Sequence, residues 1–209
     1  AARSDSLRLD TGPGNDGTLL GEPVMRGIGA DSFALTGRRI DLRLHHDQLT
    51  YVTAKGEGHA VSADLDLKAD TIGLDLEGGK LIQTLAWGDS LRPYALSSDY
   101  AIRADSLALD TPGQKLEESR AFGSAWVAGR VDSVTSERDW LSGDTVVAEF
   151  TAREAGGPTE VRRLEARKNA KSYYRVGDAG RPGPPSINYS RGERIVVLMK
   201  QAGESGVQR

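Results

Sequence analysis

The feature that most constrains this sequence is a phrase that recurs along the chain. Residues 101–110 read AIRADSLALD and residues 1–10 read AARSDSLRLD, with eight of ten positions identical or conservatively exchanged. The pattern is a small residue, Asp, Ser or Thr, and then apolar residues at alternate positions. It begins at Ser4, Gly37, Ala69, Ala104, Gly143 and Gly192, at intervals of 33, 32, 35, 39 and 49 residues. Self-similarity of this kind is typical of folds built from stacked repeats.

Each repeat contains a second phrase, in which an apolar residue is followed by Ala, one further residue and Gly. It is clearest at residues 51–56, 83–88 and 118–123. A later copy at 163–168 keeps the Ala but has Lys168 in place of the Gly, and the first copy is assigned to Met25–Gly29. Both phrases alternate apolar and polar residues, which predicts strands with one buried face. Residues 159–170, the one candidate helix, fall where a strand belongs and are predicted to be a strand.

These units must stack, because a unit of about 33 residues with a few strands cannot cover its own apolar face. The sequence therefore predicts an all-β protein, an elongated twisted β-jelly-roll or sandwich built from stacked repeats of about 33 residues. Residues 1–209 are predicted to form a single domain, with residues 177–187 as a Gly- and Pro-rich loop insertion. The last repeat lacks its second phrase, so we expect either a fragment of a longer chain or an unfinished unit with an open sheet edge.

Composition argues against several classes of function. The chain has no cysteine, which excludes disulfides and thiolate metal sites. Its net charge of −3 gives no reason to expect a nucleic-acid partner. The longest apolar run, residues 195–199, is far shorter than the roughly 20 residues of a membrane-spanning helix. No Gly-x-Ser-x-Gly elbow and no phosphate-binding glycine loop occur, and we predict neither enzymatic activity nor a cofactor.

The candidate metal ligands are poorly arranged for binding. His45 and His46 are adjacent on a predicted strand and point to opposite faces, so only one of them could meet His59, and only if the strands pair closely. A zinc site would need a further carboxylate ligand. The carboxylates at 64, 66 and 70 follow an extended strand rather than a loop that could wrap calcium. We therefore predict no metal site.

The two phrases together resemble the OstA-like, or LptA, family of periplasmic lipopolysaccharide-transport proteins. Residues 101–128 and 140–200 carry the resemblance best, notably GDTVVAEF and INYSRGERIVVLMKQ. The resemblance implies a β-jelly-roll with an apolar groove that accepts the acyl chains of lipopolysaccharide or a related glycolipid. It also implies a periplasmic location, with association to the outer membrane as an alternative. Expected partners are other jelly-roll transport proteins, or further copies of the chain joined end to end through sheet edges.

Such a function needs no catalytic residue, only a continuous inward row of apolar side chains. Twelve positions are predicted to line the groove: Ile40, Leu42, Leu44, Ile72, Leu74, Leu76, Leu107, Leu109, Val146, Phe150, Ile195 and Val197. The alternative interpretation is a closed hydrophobic core that binds no ligand.

A basic cluster near the end of the chain is a weaker candidate for contact with headgroup phosphates. Its proposed members are Arg163, Arg167, Lys168 and Lys171. Arginine and lysine bind phosphate well. Glu160 and Glu165 interleave with them, however, which also fits charges placed on an edge strand to prevent aggregation.

Two other functions remain open. One is a β-solenoid that binds or cleaves polysaccharide; Trp87, Trp126 and Trp140 do not share one repeat position, which disfavours a line of stacking platforms. The other is a purely structural repeat that assembles end to end.

Overall fold

The computed structural model describes residues 1–9, 16–27, 33–62, 65–129, 137–152, 159–176 and 185–199. These residues form sixteen strands and one short 3-10 helix, Pro112–Gln114. The strands are β1 (Ala2–Arg3), β2 (Ser6–Leu9), β3 (Gly17–Leu20), β4 (Val24–Arg26), β5 (Ala34–Thr36), β6 (Arg39–His45), β7 (Gln48–Val61), β8 (Asp66–Glu77), β9 (Lys80–Trp87), β10 (Tyr94–Leu96), β11 (Tyr100–Arg103), β12 (Ser106–Asp110), β13 (Glu118–Gly129), β14 (Trp140–Ala152), β15 (Thr159–Val176) and β16 (Ser186–Leu198). Within the described ranges no helix is long and apolar enough to cross a membrane.

All sixteen strands belong to one hydrogen-bonded sheet that is folded on itself into two layers. The first layer has the order β1-β4-β5-β7-β8-β10-β11-β13-β14-β15-β16. The second layer runs β2-β3-β6-β7-β8-β9-β12-β13-β14-β15-β16, from the remaining pairings. The long strands β7, β8, β13, β14, β15 and β16 pass through both layers. The all-β jelly-roll prediction is therefore confirmed, including a strand over residues 159–170.

The recurring phrase marks the line, here called the corner, along which the sheet bends from one layer into the other. Strand registers break at this line between Lys55 and Gly58, between Phe122 and Ala125, and between Arg167 and Ala170. Pairs of residues with positive φ lie along this line at Gly21-Glu22, Gly56-Glu57, Gly123-Ser124 and Lys168-Asn169. Two residues then oppose one, which is a β-bulge and bends the strand.

Acidic residues of the first phrase lie over the bulges of the second phrase. A β carbon added to Gly21, Gly88 or Gly123 would overlap the side chain of Asp5, Asp70 or Asp105, respectively. At the Lys168 bulge, the amide of Asn169 donates to the Asp144 carboxylate at 3.0 Å. The two phrases are thus the two sides of one structural unit, repeated along the corner.

The first copy of the second phrase is Leu19-Leu20-Gly21, not Met25–Gly29 as the sequence suggested. Gly21 has the positive φ of the bulge, whereas Met25 lies inside β4 and pairs with Ala2. The prediction was wrong because it required Ala two residues before the glycine, and here that inward position is taken by the buried Leu19. Residues 28 and 29 are outside the described ranges.

A single hydrophobic core lies between the layers. Its fully buried members come from the first layer, for example Leu35, Leu67 and Leu141, and from the second, for example Ile40 and Ile72. Of the predicted insertion, residues 177–184 lie outside the described residues. Residues 186 and 187 begin β16, which pairs with the end of β15.

Candidate functional site

The predicted inward row lies in the core between the two layers. Eight members are buried, namely Ile40, Ile72, Leu74, Leu76, Leu107, Leu109, Val146 and Phe150. Leu42, Ile195 and Val197 are half-buried and pack against the same cluster, and Leu44 is half-buried near the end of β6. All twelve therefore lie on or at the edge of one apolar interior. Whether this interior accepts a ligand remains a prediction.

Sequence reasoning found only the second layer's share of this interior. The first layer faces it with Leu35, Leu67, Ile102, Val127 and Leu141, all buried. These residues lie on the first-layer side of the corner, and on β8 the inward alternation shifts by one residue there, from Leu67 and Ala69 to Ile72 and Leu74. The available signal was the apolar alternation that resumes beyond each positive-φ pair, for example in Ala125-Trp126-Val127.

The side opposite the corner, here called the mouth, is where the two layers end without a connecting bulge. The rings of Tyr100 in the first layer and Phe150 in the second meet across it, with centroids 5.5 Å apart. A small apolar cavity of about 60 Å³ opens nearby, lined by residues of both layers, including Ala60, Leu74 and Leu81. One predicted groove residue, Leu74, thus reaches a cavity at the mouth.

The basic cluster is divided between the two layers and its arginines are engaged in ion pairs. Arg163 and Arg167 lie on the outer face of the second layer and contact Glu165; Arg167 does so at 2.7 Å. The Glu165 side chain is only 1% exposed, and Arg194 contacts it at 2.6 Å. Hydrogen bonds from Arg194 and then Arg167 lower the pKa of Glu165 to about 2. Arg163, Arg167 and Arg194 therefore surround the Glu165 carboxylate, and this group of four residues is here called the cage.

The remaining two lysines stand apart from this cage. Lys168 is exposed in the corner bulge, and Lys171 lies on the outer face of the first layer. Arg163 also binds Glu149 at 2.5 Å, on the outer side of the layer from the apolar interior. A headgroup that contacted these side chains would be separated from acyl chains in the interior by the thickness of one sheet, except around the edge strand.

Strand β16 forms a long edge of the fold, and among the described strands it pairs only with β15. It spans 13 residues and both layers. Ile187, Val196 and Leu198 are exposed on it, while Ile195 and Val197 turn toward the core. An exposed edge with unpaired backbone groups and apolar side chains is a template for another strand.

The histidines are not brought together. His45 and His46 lie at the β6–β7 turn with ring centroids 4.0 Å apart, whereas His59 lies in the first layer and contacts Asp66 at 2.9 Å. Asp70 accepts the backbone N–H groups of Ser90 and Leu91 at the corner, and Asp64 is outside the described residues. Within the described ranges no group of three His, Cys, Asp or Glu could hold a metal ion.

Comparison with known proteins finds similarity in fold but not in sequence. Neither a protein family nor a curated protein matches the sequence. The fold is similar to the crystal structure of LptH, the LptA-homologous periplasmic component of the lipopolysaccharide transport device of Pseudomonas aeruginosa. The match has a TM-score of 0.42 and 11% sequence identity, and it covers 91% of this chain and 92% of that one.

Proposed function

We propose that this protein is a periplasmic component of lipopolysaccharide, or related glycolipid, transport that holds acyl chains between its two layers. The observation that carries the proposal is the single apolar interior, which extends as one connected cluster from Leu19 in β3 to Leu164 in β15. The phrases that resemble the transport family build the corner that holds this interior on one side. No catalytic group is needed for such a role.

The hydrophobic effect sets the scale of acyl binding. Each buried CH₂ contributes about 0.8 kcal/mol, so a chain of a dozen carbons gains on the order of 10 kcal/mol before ordering costs are subtracted. The core is packed, with Leu74 and Leu109 2% and 3% exposed. Acyl chains would therefore enter by separation of the layers at the mouth, where Tyr100 and Phe150 meet, while the corner stays closed.

Partners would be reached through the sheet edge. β16 carries half-buried Ile195 and Val197 at the end of the apolar interior, so a strand added to this edge would extend the interior into the next molecule. Successive jelly-roll domains, or copies of this chain, could then pass a lipid along a continuous apolar path. Headgroup phosphates would bind near this edge to Arg163, Arg167, Lys168 and Lys171. Arg163 and Arg167 would then release their carboxylate partners and bind phosphate instead.

The test is site-specific crosslinking to an acyl probe. A photo-crosslinking residue at Leu74 or Leu109 should capture a photo-inert glycolipid, because both side chains face the interior. The matched control is Leu85, which lies on β9 between the inward residues Thr84 and Ala86 and so faces outward. Native mass spectrometry of the unmodified protein should show co-purified lipid. Equal capture at Leu85, or no capture and a lipid-free mass, would favour a closed core.

Exposed apolar residues on β16 also support a second candidate, a purely structural protein that assembles end to end. Val196 and Leu198 lie on the unpaired edge. In that case size would grow with concentration in light scattering although no lipid is captured at Leu74 or Leu109. The crosslinking result therefore separates the two candidates.

A further inference from the structure

The outer face of the first layer carries an aromatic row that the interior does not use. Across strands β10, β11, β13 and β14, register places Leu96, Ala101, Ala128 and Trp140 side by side, and Trp140 is followed by aromatic residues of β15 and β16. Leu96 is 40% exposed. Leu96 and Trp140 face outward because their neighbours on the same strands, Ala95 and Leu141, belong to the core. Ala101 and Ala128 lie in the same row but are buried.

Ring contacts organise the end of this row. The Trp140 and Tyr173 rings are stacked, with centroids 6.2 Å apart and planes 10° apart. Tyr189 on β16 meets Trp140 edge to face at 6.4 Å and remains 54% exposed. Ile187 extends the apolar surface along β16 and is exposed as well. The result is a preformed outer surface of indole and phenol rings with an aliphatic border.

A parallel row places cations beside the rings. Arg103 lies between Tyr94 and Trp126 in the register and its guanidinium is 5.6 Å and 6.0 Å from their ring centroids. Lys171 and Arg191 continue the same row on β15 and β16. Trp and Tyr combine an apolar body with a polar tip, and a cation over a ring is a favourable pairing.

Cations outnumber carboxylates in these two rows. In the two rows, over the residues whose pairing the structure describes, Asp66 is the one carboxylate, and it contacts His59. The outer face of the second layer differs, because its arginines pair with carboxylates; Arg120 binds Asp110 and Arg162 binds Glu149. At the end of the aromatic row, Glu137 accepts a hydrogen bond from the Tyr173 hydroxyl at 2.8 Å and Asp139 contacts Arg175 at 2.9 Å. The excess of positive charge therefore lies along the parallel row, at Arg103, Lys171 and Arg191.

We propose that the outer face of the first layer docks on the surface of an anionic lipid bilayer. Aromatic rings with polar tips favour the membrane–water interface, and anionic headgroups attract Lys and Arg. The rings of Trp126, Trp140 and Tyr189 lie at headgroup depth, and Lys171 and Arg191 contact lipid phosphates. Docking of this face does not require an acyl chain in the interior, so the inference is independent of the proposed lipid transport.

The three tryptophans make the test direct. Trp126 and Trp140 lie on the proposed docking face, whereas Trp87 lies on the outer face of the second layer and is 39% exposed. Single-tryptophan variants, with Phe at the other two positions, are mixed with phosphatidylcholine vesicles. The vesicles contain about 30% brominated phosphatidylglycerol, which makes their surface anionic. Trp126 and Trp140 emission should shift to the blue and be quenched, while Trp87 emission should not change.

A charge variant supplies a second readout that does not depend on replacing aromatic residues. Lys171→Gln with Arg191→Gln should weaken partition to the anionic vesicles roughly 30-fold, at about fivefold for each cation near the surface. The matched control, Arg120→Gln with Arg162→Gln on the second layer, should leave partition unchanged. High salt should reduce binding of the parent protein, because the attraction is screened.

Several outcomes would overturn the proposal. Equal affinity for vesicles without phosphatidylglycerol, equal quenching of Trp87, or equal losses in the two charge variants would each exclude an oriented anionic contact. Absence of vesicle binding would do the same. If soluble oligosaccharide instead quenched Trp140 without vesicle binding, the face would be a glycan platform. None of the three tryptophans lies in the core, so lipid uptake into the interior cannot imitate the expected result.

Discussion

The carboxylate of Asp105 fills the space above Gly123, so a β carbon on that glycine would overlap it. The backbone N–H of Asp105 donates to the carbonyls of Phe122 and Gly123 at 2.9 Å and 3.0 Å, and Arg92 contacts the Asp105 carboxylate at 2.7 Å. Gly123 has a φ of 75°. Backbone conformation and side-chain space therefore require glycine at this bulge for separate reasons.

Replacing the glycine at this bulge should lower the free energy of unfolding more than replacing a turn glycine with the same backbone conformation. Gly79, in the β8–β9 turn, has a φ of 77° but nothing near its missing β carbon. Gly79→Ala should lower the free energy of unfolding by about 1 kcal/mol, the strain of a left-handed residue. Gly123→Ala should lower it by about 3 kcal/mol, because steric overlap adds to that strain. Urea denaturation of both variants measures the difference; equal losses would mean that Asp105 moves away freely.

Replacing Lys168 should increase stability because, of the four positive-φ pairs described at the corner, only Lys168-Asn169 contains no glycine. Lys168 has a φ of 56° and an exposed side chain. Lys168→Gly should raise the free energy of unfolding by about 0.5 kcal/mol, because relief of the left-handed strain exceeds the added flexibility of the unfolded chain. Lys171→Gly, on extended backbone in the same strand, should lower it. A loss of stability in Lys168→Gly would show that the lysine contributes a stabilising contact.

Glu165 should make the protein sensitive to acid. Its pKa of about 2 in the folded state lies below the ordinary value, because Arg194 and Arg167 hydrogen-bond the ionised form. The resulting stability is fully present above about pH 5 and is lost as the pH falls toward 2. Glu165→Gln should lower the free energy of unfolding by about 2 kcal/mol at pH 7, and this difference should shrink toward zero at pH 2.

Exposed Glu193, on the neighbouring strand β16, supplies the control. Denaturation of Glu193→Gln at pH 7, 5 and 3 should follow the parent curve closely. If Glu165→Gln differed from the parent by the same amount at every pH, the cage would not be the source of the acid sensitivity.

The sequence was informative where its pattern reports local geometry. Alternation correctly placed Leu107 and Leu109 inside and Ser106 outside, because successive residues of a strand face opposite ways. Recurrence of the two phrases predicted a repeated unit, and Lys168 was correctly identified as the substitute for glycine.

What the sequence did not reveal depends on long-range geometry. The bend at each phrase was missed, because the one-residue shift in alternation, from Leu67 and Ala69 to Ile72 on β8, was not interpreted as a crossing between layers. The spacing of Arg163, Glu165 and Arg167 does put all three on one face, so the ion pairs were readable in principle. The third arginine, Arg194, comes from a neighbouring strand, and its contact with Glu165 could not be read from local spacing.

The β16 edge should control association. Val196 is 39% exposed on this edge, and Leu20, 40% exposed, lies on β3, which has strands on both sides. Val196→Lys should abolish concentration-dependent growth in light scattering, because a charge on an edge strand opposes pairing with another strand. Leu20→Lys should not change it. If both variants behaved alike, or if the parent stayed monomeric at every concentration, end-to-end association through β16 would be excluded.

A covalent link across the mouth should prevent acyl chains from entering. The chain has no cysteine, so the double variant Tyr100→Cys with Phe150→Cys introduces the only thiols. The rings of Tyr100 and Phe150 are in contact in the parent protein. A short bis-maleimide should join the two layers, and capture of an acyl probe at Leu74 should then fall to the level of the outward control Leu85. The same double variant capped with a monofunctional maleimide keeps the mouth free and should still capture the probe. Undiminished capture after linking would mean that lipid enters elsewhere, with the edge at β16 as the next route to close.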